Sequence, residues 1–142
     1  MKINDSLGYM LCRTARKIHQ QLTQKFQAYD ITLEQWVALK TVEENNGLSQ
    51  KQLALLLEKD QNNVTAMLGR LEKKQLLRRE VNQADKRAFS LFVTGQGLQT
   101  IKKLASIDEA AIAAIEAPLQ QEEGKNLKEQ LARSEEKLGE GK

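Results

Sequence analysis

Between Leu48 and Gly97 the spacing of apolar residues switches from helical to alternating and back, and few folds accommodate that order. Ser49, with Gln52 three residues on, forms a capping box for a short helix to Leu57 whose apolar face is Leu53, Leu56 and Leu57. Asp60 caps a second helix running to Lys74, with Val64, Met67, Leu68 and Leu71 spaced to face inward. Two short strands follow, Leu76–Val81 and Ala88–Val93. In the second, Phe89, Leu91 and Val93 alternate with Ala88, Ser90 and Phe92. The link Asn82-Gln83-Ala84-Asp85-Lys86-Arg87 is polar, charged and too long for a tight turn, so it projects as a wing. Two helices followed by a basic flap can set one element in the major groove of a duplex and another against its minor groove.

The flanks are helical. Leu7, Leu11, Ala15, Ile18, Leu22, Phe26 and Tyr29 form one continuous apolar stripe. A helix this long cannot hide its stripe against a small domain alone, so part of it is expected to pack on a partner chain. Thr32 and Gln35 box a helix over Leu33–Glu44, with Trp36, Val37, Leu39 and Val42 as core candidates and Asn45-Asn46-Gly47 as its stop. After the wing, Thr94 caps a long helix carrying Leu98, Ile101, Leu104, Ala105, Ile112 and Ile115, which Pro118 ends. A last helix, about Leu119 to Leu138, has Leu127, Leu131 and Leu138 on one side, and residues 139–142 are expected to fray.

Positive charge concentrates where the pattern is richest. Residues 59–93 carry eight Lys/Arg against four Asp/Glu, whereas residues 94–142 carry seven against nine. Nucleic acid requires such a footprint, because phosphate contacts supply much of the affinity. The outward face of the Asp60–Lys74 helix holds Gln61, Asn62, Asn63, Thr65, Ala66 and Arg70. The two asparagines in the first turn are poor helix formers, but their amides, like that of Gln61, suit base edges. No apolar run approaches the ~20 residues of a membrane span. No secretory h-region opens the chain, which points to the cytoplasm. There is no phosphate-cradling glycine loop, no nucleophile beside a base and no metal-ligand spacing, so neither an enzyme nor a bound metal or cofactor is expected.

The ordered run Leu48-Ser49-Gln50-Lys51-Gln52-Leu53-Ala54, Val64-Thr65, Arg70-Leu71-Glu72-Lys73-Lys74, Leu76-Leu77-Arg78-Arg79, Asp85-Lys86-Arg87, Thr94 and Gly97 resembles the MarR family of bacterial transcriptional regulators. The resemblance covers nearly the whole chain. It implies a mainly α protein with a small β-hairpin wing, a winged helix-turn-helix with long N- and C-terminal dimerisation helices. By position, residues 1–32 would be a dimerisation helix, 33–94 the DNA-binding domain and 95–142 further dimerisation helices, within a single compact unit. The partners implied are a second copy of the chain, a pseudo-palindromic double-stranded operator and a small phenolic or aromatic effector, with repression as the usual outcome.

The same resemblance distributes roles. Gln61, Asn62 and Asn63 would lie nearest the bases, and Thr65 and Arg70 would contact phosphates or the groove floor. Ser49 and Gln50 would bind phosphate at a helix N-terminus. Arg87 would enter the minor groove beside Lys86, held by Asp85 in a bidentate pair. Lys73, Lys74, Arg78 and Arg79 would add sequence-blind attraction. Gln75 stands where the family commonly has the glycine of a left-handed helix cap, so the helix is expected to end differently. Ala66 replaces a frequent larger polar residue.

Cys12 occupies a place similar to the reactive cysteine of the family's hydroperoxide-sensing branch, but Leu33 and Trp36 stand near where its tyrosine partners are usual. It is either a sensing thiol or a small apolar filler. Cys12, Arg16, His19, Trp36 and Lys40 could line an effector crevice, with Trp36 as plain core the competing reading. Two other functions fit the helix–wing pattern: a winged-helix protein-interaction module without DNA binding, and a sequence-neutral architectural DNA binder. A steep salt dependence would exclude the first, and discrimination between operator and random DNA the second.

Overall fold

The first five α-helices each start where a side chain satisfies a free amide. In the computed structural model, which describes residues 1–140, α1 (Leu7–Phe26) opens after Ser6, whose hydroxyl accepts the Tyr9 N–H at 3.2 Å. The Thr32–Gln35 and Ser49–Gln52 boxes, both legible in the sequence, open α2 (Leu33–Glu44) and α3 (Gln50–Leu57). α4 (Gln61–Lys73) follows Asp60. α5 (Gly95–Glu116) follows Thr94, whose hydroxyl oxygen accepts the Gly97 N–H at 3.0 Å, and α6 is Gln121–Glu140.

The antiparallel hairpin pairs β1 (Leu77–Val81) with β2 (Phe89–Val93), from Leu77 opposite Val93 to Val81 opposite Phe89. On the other edge of β2, the Gly47 N–H donates to the Leu91 carbonyl and the Leu91 N–H to the Leu48 carbonyl, each at 2.9 Å. The segment leading into α3 is thereby stitched to the wing, which holds the helix pair and the flap in one register. Phe26, Leu39, Val42, Leu53, Val64, Leu68, Leu71, Leu91 and Leu104 are fully buried. Each contributes roughly 1.5–3 kcal/mol by leaving water. Met1–Ile107 forms one compact unit, and the chain from Asp108 onward a second.

Gly97 is required by packing. A Cβ there would lie 2.2 Å from the Leu76 carbonyl oxygen and 2.6 Å from Val93 Cγ1. The first turn of α5 therefore sits directly on the base of the hairpin, closer than any side chain permits.

Several boundaries and faces differ from expectation. α1 stops at Phe26 and gives way to a 3-10 turn, Gln27–Tyr29, closed by Asp30 in the left-handed region (φ 53°). Tyr29 is thus largely exposed. Leu56 is 57% exposed and Val37 40%, while Leu53 and Ala54, Ala38 and Leu39 take the inward positions of their helices. Leu76 does not begin the strand, because its N–H is committed to the Leu71 carbonyl at 3.1 Å. With the Gln75 N–H on the Glu72 carbonyl at 2.9 Å, this is the left-handed cap usually given to glycine, with Gln75 in that place at φ 63°. α4 therefore ends in the ordinary way, despite the substitution. α6 continues through Gly139 and Glu140, where fraying was expected; residues 141 and 142 lie outside the described residues.

Candidate nucleic-acid interface

The start of α4 divides its polar residues into engaged and free. The Asp60 carboxylate accepts both the Asn63 backbone N–H at 2.9 Å and the Asn63 side-chain amide at 2.8 Å. Asn63 is therefore half spent on the cap. Gln61 and Asn62 are exposed, and among the described residues their side chains make no hydrogen bond. Thr65 donates its hydroxyl proton to the Gln61 carbonyl at 2.7 Å and accepts from the Gln50 amide. Gln50 and Thr65 thus tie α3 to α4. Ser49 is held in its capping box, while the backbone amides at the start of α3 remain without intrahelical acceptors.

The wing loop is shaped by two short side-chain turns. Asn82 Oδ1 accepts the Ala84 and Asp85 N–H groups at 2.8 and 3.3 Å. Asp85 Oδ1 accepts the Arg87 backbone N–H at 3.0 Å and its Nε at 3.4 Å. Asp85 thus meets the guanidinium through one oxygen instead of the expected bidentate pair. The Arg87 side chain is 94% exposed, and its terminal nitrogens are left free for an external acceptor. Lys86, Arg70 and Lys73 are exposed and unpaired among the described residues.

Arg78 and Arg79 are differently placed. Arg78 pairs with Glu80 and stacks 4.5 Å from the centre of the Phe92 ring, its cross-strand neighbour. Arg79 Nε donates to Glu72 Oε1 at 2.5 Å, and its guanidinium lies 5.9 Å from the Phe89 ring centre. Both stiffen the hairpin and its seat on α4. Lys74 turns away from the outward face and bonds to the Asp30 carbonyl and Gln35 Oε1.

Between the start of α3 and the wing lies an open crevice of about 720 Å³. Ser49, Gln50, Gln61, Asp85 and Arg87, all predicted site residues, line it together. Lys51 and Asn82, which sequence reasoning passed over, line it too. Their contribution depends on how close the wing comes to α3, and no local pattern records that.

The proposed effector residues are more scattered. Cys12 and Arg16 are exposed on α1. His19 Nε2 lies 3.3 Å from Glu34 Oε1, and Nδ1 lies 3.4 Å from Thr23 Oγ1. The Glu34 carboxyl is held below the usual range by its own helix-start amide, against partial burial, with His19 and Lys59 adding to the effect. Trp36 meets Phe26 edge-on, with centroids 5.5 Å apart, and its indole N–H is buried without an acceptor. Lys40 pairs with Glu43 at 3.4 Å. Among the described residues there is no cluster of three metal-ligand side chains and no helix long and apolar enough to cross a membrane.

Residues 31–89 match the model of the MarR family. The chain is 26% identical over 129 residues to the organic hydroperoxide resistance transcriptional regulator of Bacillus subtilis (strain 168), covering 91% of this chain and 84% of that one. Its fold superposes on the crystal structure of the S. aureus MepR–DNA complex with a TM-score of 0.83 at 25% identity, over 93% of this chain and 98% of that one. It also shares its fold with the crystal structure of MarR, with a TM-score of 0.84 over 99% and 95% of the two chains at 21% identity.

Proposed function

The chain belongs to the MarR family, whose domain occupies residues 31–89, and from that premise we propose how this DNA-binding transcriptional regulator reads its site. The observation that carries the reading is the shared face formed by the start of α4, the start of α3 and the wing tip, where Gln61, Asn62 and the terminal nitrogens of Arg87 are left free. α4 enters the major groove with Gln61 and Asn62 against base edges. Arg87, beside Lys86, reaches the minor groove, and Arg70 and Lys73 attract phosphate. The α3 N-terminus, with Ser49 and Gln50, faces a phosphate. Asn63, Thr65 and Asp85 hold this surface in shape more than they touch DNA.

The working form is a homodimer. Leu7, Met10 and Leu11 on α1 and Leu127, Leu131 and Leu138 on α6 are exposed apolar residues, which a second copy would cover. A two-fold dimer then presents two α4 helices to successive major grooves, about 34 Å apart, which requires a pseudo-palindromic site. We further propose that the protein represses, and that a small phenolic or aromatic effector near Cys12, Arg16, His19, Trp36 and Lys40 releases it. The unpartnered Trp36 N–H supports an effector carrying an acceptor oxygen. A dimer whose conformers differ in helix separation supplies the switch.

Arg87→Ala tests the reading by gel-shift titration. Operator affinity is expected to fall about tenfold or more, with the dimer intact and the salt slope reduced by about one. Unchanged affinity would remove the wing from the interface. A second reading, peroxide sensing by oxidation of Cys12, is favoured by the exposed thiol and by the named role of the B. subtilis relative. The mass of Cys12 after peroxide treatment decides it.

A further inference from the structure

The most unexpected long-range polar contact in the DNA-binding unit is made by Lys74, the residue between the end of α4 and the left-handed Gln75. Its ammonium group donates to the backbone carbonyl of Asp30 and, at 3.1 Å, to Gln35 Oε1; Asp30 Oδ2 lies 3.9 Å away. Gln35 is 6% exposed, and the same oxygen also accepts the Thr32 N–H at 3.2 Å in the capping box of α2. Asp30 is the left-handed residue that joins the end of α1 to α2. One cation therefore binds the α1–α2 joint to the junction of α4 with the wing, across 44 and 39 residues of chain.

We infer that Lys74 is a positioning residue for DNA recognition: it locks the end of α4 to the α1–α2 joint and so sets the angle at which α4 is presented. Its side chain is 28% exposed and its ammonium group is already engaged by Asp30 and Gln35, so it is unsuited to a phosphate. Lys73, one residue earlier, is exposed and has no such partner. The position also suits a cation, since the last carbonyls of a helix carry partial negative charge. A buried amide oxygen with two donors is a rigid hub, because releasing either donor leaves a polar atom poorly satisfied. Movement of α1 against α2 must then either carry α4 with it or break the Lys74 bonds. This proposal rests on the DNA-binding reading for its consequence, but not for its geometry.

The test compares Lys74→Met, which keeps the stem and removes the donors, with Lys74→Arg, which restores them, and with Lys73→Met. Two readouts are taken: backbone amide exchange in the free protein, and operator affinity across a salt series. For Lys74→Met, faster exchange over residues 30–35 and about tenfold weaker operator binding at an unchanged salt slope are expected. Lys74→Arg is expected to restore most of both. Lys73→Met should instead lower the slope by about one. Unchanged exchange, unchanged affinity or a reduced slope in Lys74→Met would each overturn the proposal. If the wild-type protein ignores duplex DNA, the DNA-binding reading fails, and exchange alone then decides whether the lock exists. Should Lys74→Met not fold, Lys74→Gln is measured by the same criteria.

Discussion

Replacing Gln75 with glycine should make the protein more stable, although it removes a side chain. Gln75 sits at φ 63° at the end of α4, its N–H on the Glu72 carbonyl while that of Leu76 reaches the Leu71 carbonyl. Its own carbonyl accepts the Thr94 hydroxyl at 2.7 Å. Two of these bonds use the backbone of residue 75 and the third that of Leu76, so glycine keeps all three. The glutamine side chain is exposed and makes no hydrogen bond among the described residues, so little is lost with it. A left-handed conformation costs an L-residue about 1–2 kcal/mol. Against this, glycine in the unfolded chain has more freedom to lose, about 0.5–1 kcal/mol. The net expectation is a gain of about 0.5–1 kcal/mol, or a rise in Tm of about 1–4 °C for a chain of this size. Thermal unfolding at one fixed protein concentration measures it, since dimerisation makes Tm depend on concentration. Gln75→Ala, which keeps the Cβ, should show no such gain. A glycine variant no more stable than the wild type would refute the strain argument.

Other substitutions separate the roles assigned above. Asn62→Ala should reduce discrimination between operator and mismatched DNA by about 1–3 kcal/mol in competition titrations, whereas Asp60→Ala, which removes the acceptor of both Asn63 N–H groups, should chiefly lower stability by about 1 kcal/mol. Equal discrimination in Asn62→Ala and wild type would take Asn62 off the reading face. Gly97→Ala should destabilise by about 3 kcal/mol in denaturant titration, because the methyl group meets a backbone oxygen and not a mobile side chain. A wild-type midpoint would mean that α5 can lift from the hairpin at little cost. Glu34 has a folded-state pKa below the ordinary value, first through its own backbone amide and then through His19, so it adds stability above the ordinary carboxylate pKa that is lost as pH falls through the lowered one. Glu34→Gln should therefore cost a few tenths of a kcal/mol at neutral pH, since both side chains of the pair are about half exposed, and the difference from wild type should shrink in acid. A difference that grows with acidification would reverse the assignment.

Much of the molecule was legible in residues only a few places apart. The boxes Thr32–Gln35 and Ser49–Gln52, the Asp60 cap, the inward set Val64, Met67, Leu68 and Leu71, and the alternation over Phe89–Val93 all act within about two helical turns or one strand. Their partners are therefore written beside them in the chain. The same locality explains why the hairpin and α4 could be placed. Tertiary structure alone decided which polar side chains stay free. Thr65 is taken by Gln50 from 15 residues away and Lys74 by Asp30 from 44, while Arg79 is drawn to Glu72. It also decided that Leu56 faces out, and that Gly97 must lack a side chain to lie against Leu76. A cap or a periodic stripe depends on short, nearly fixed backbone geometry. A long side chain instead takes the acceptor that folding brings within reach, and its choice exists only once the helices are packed.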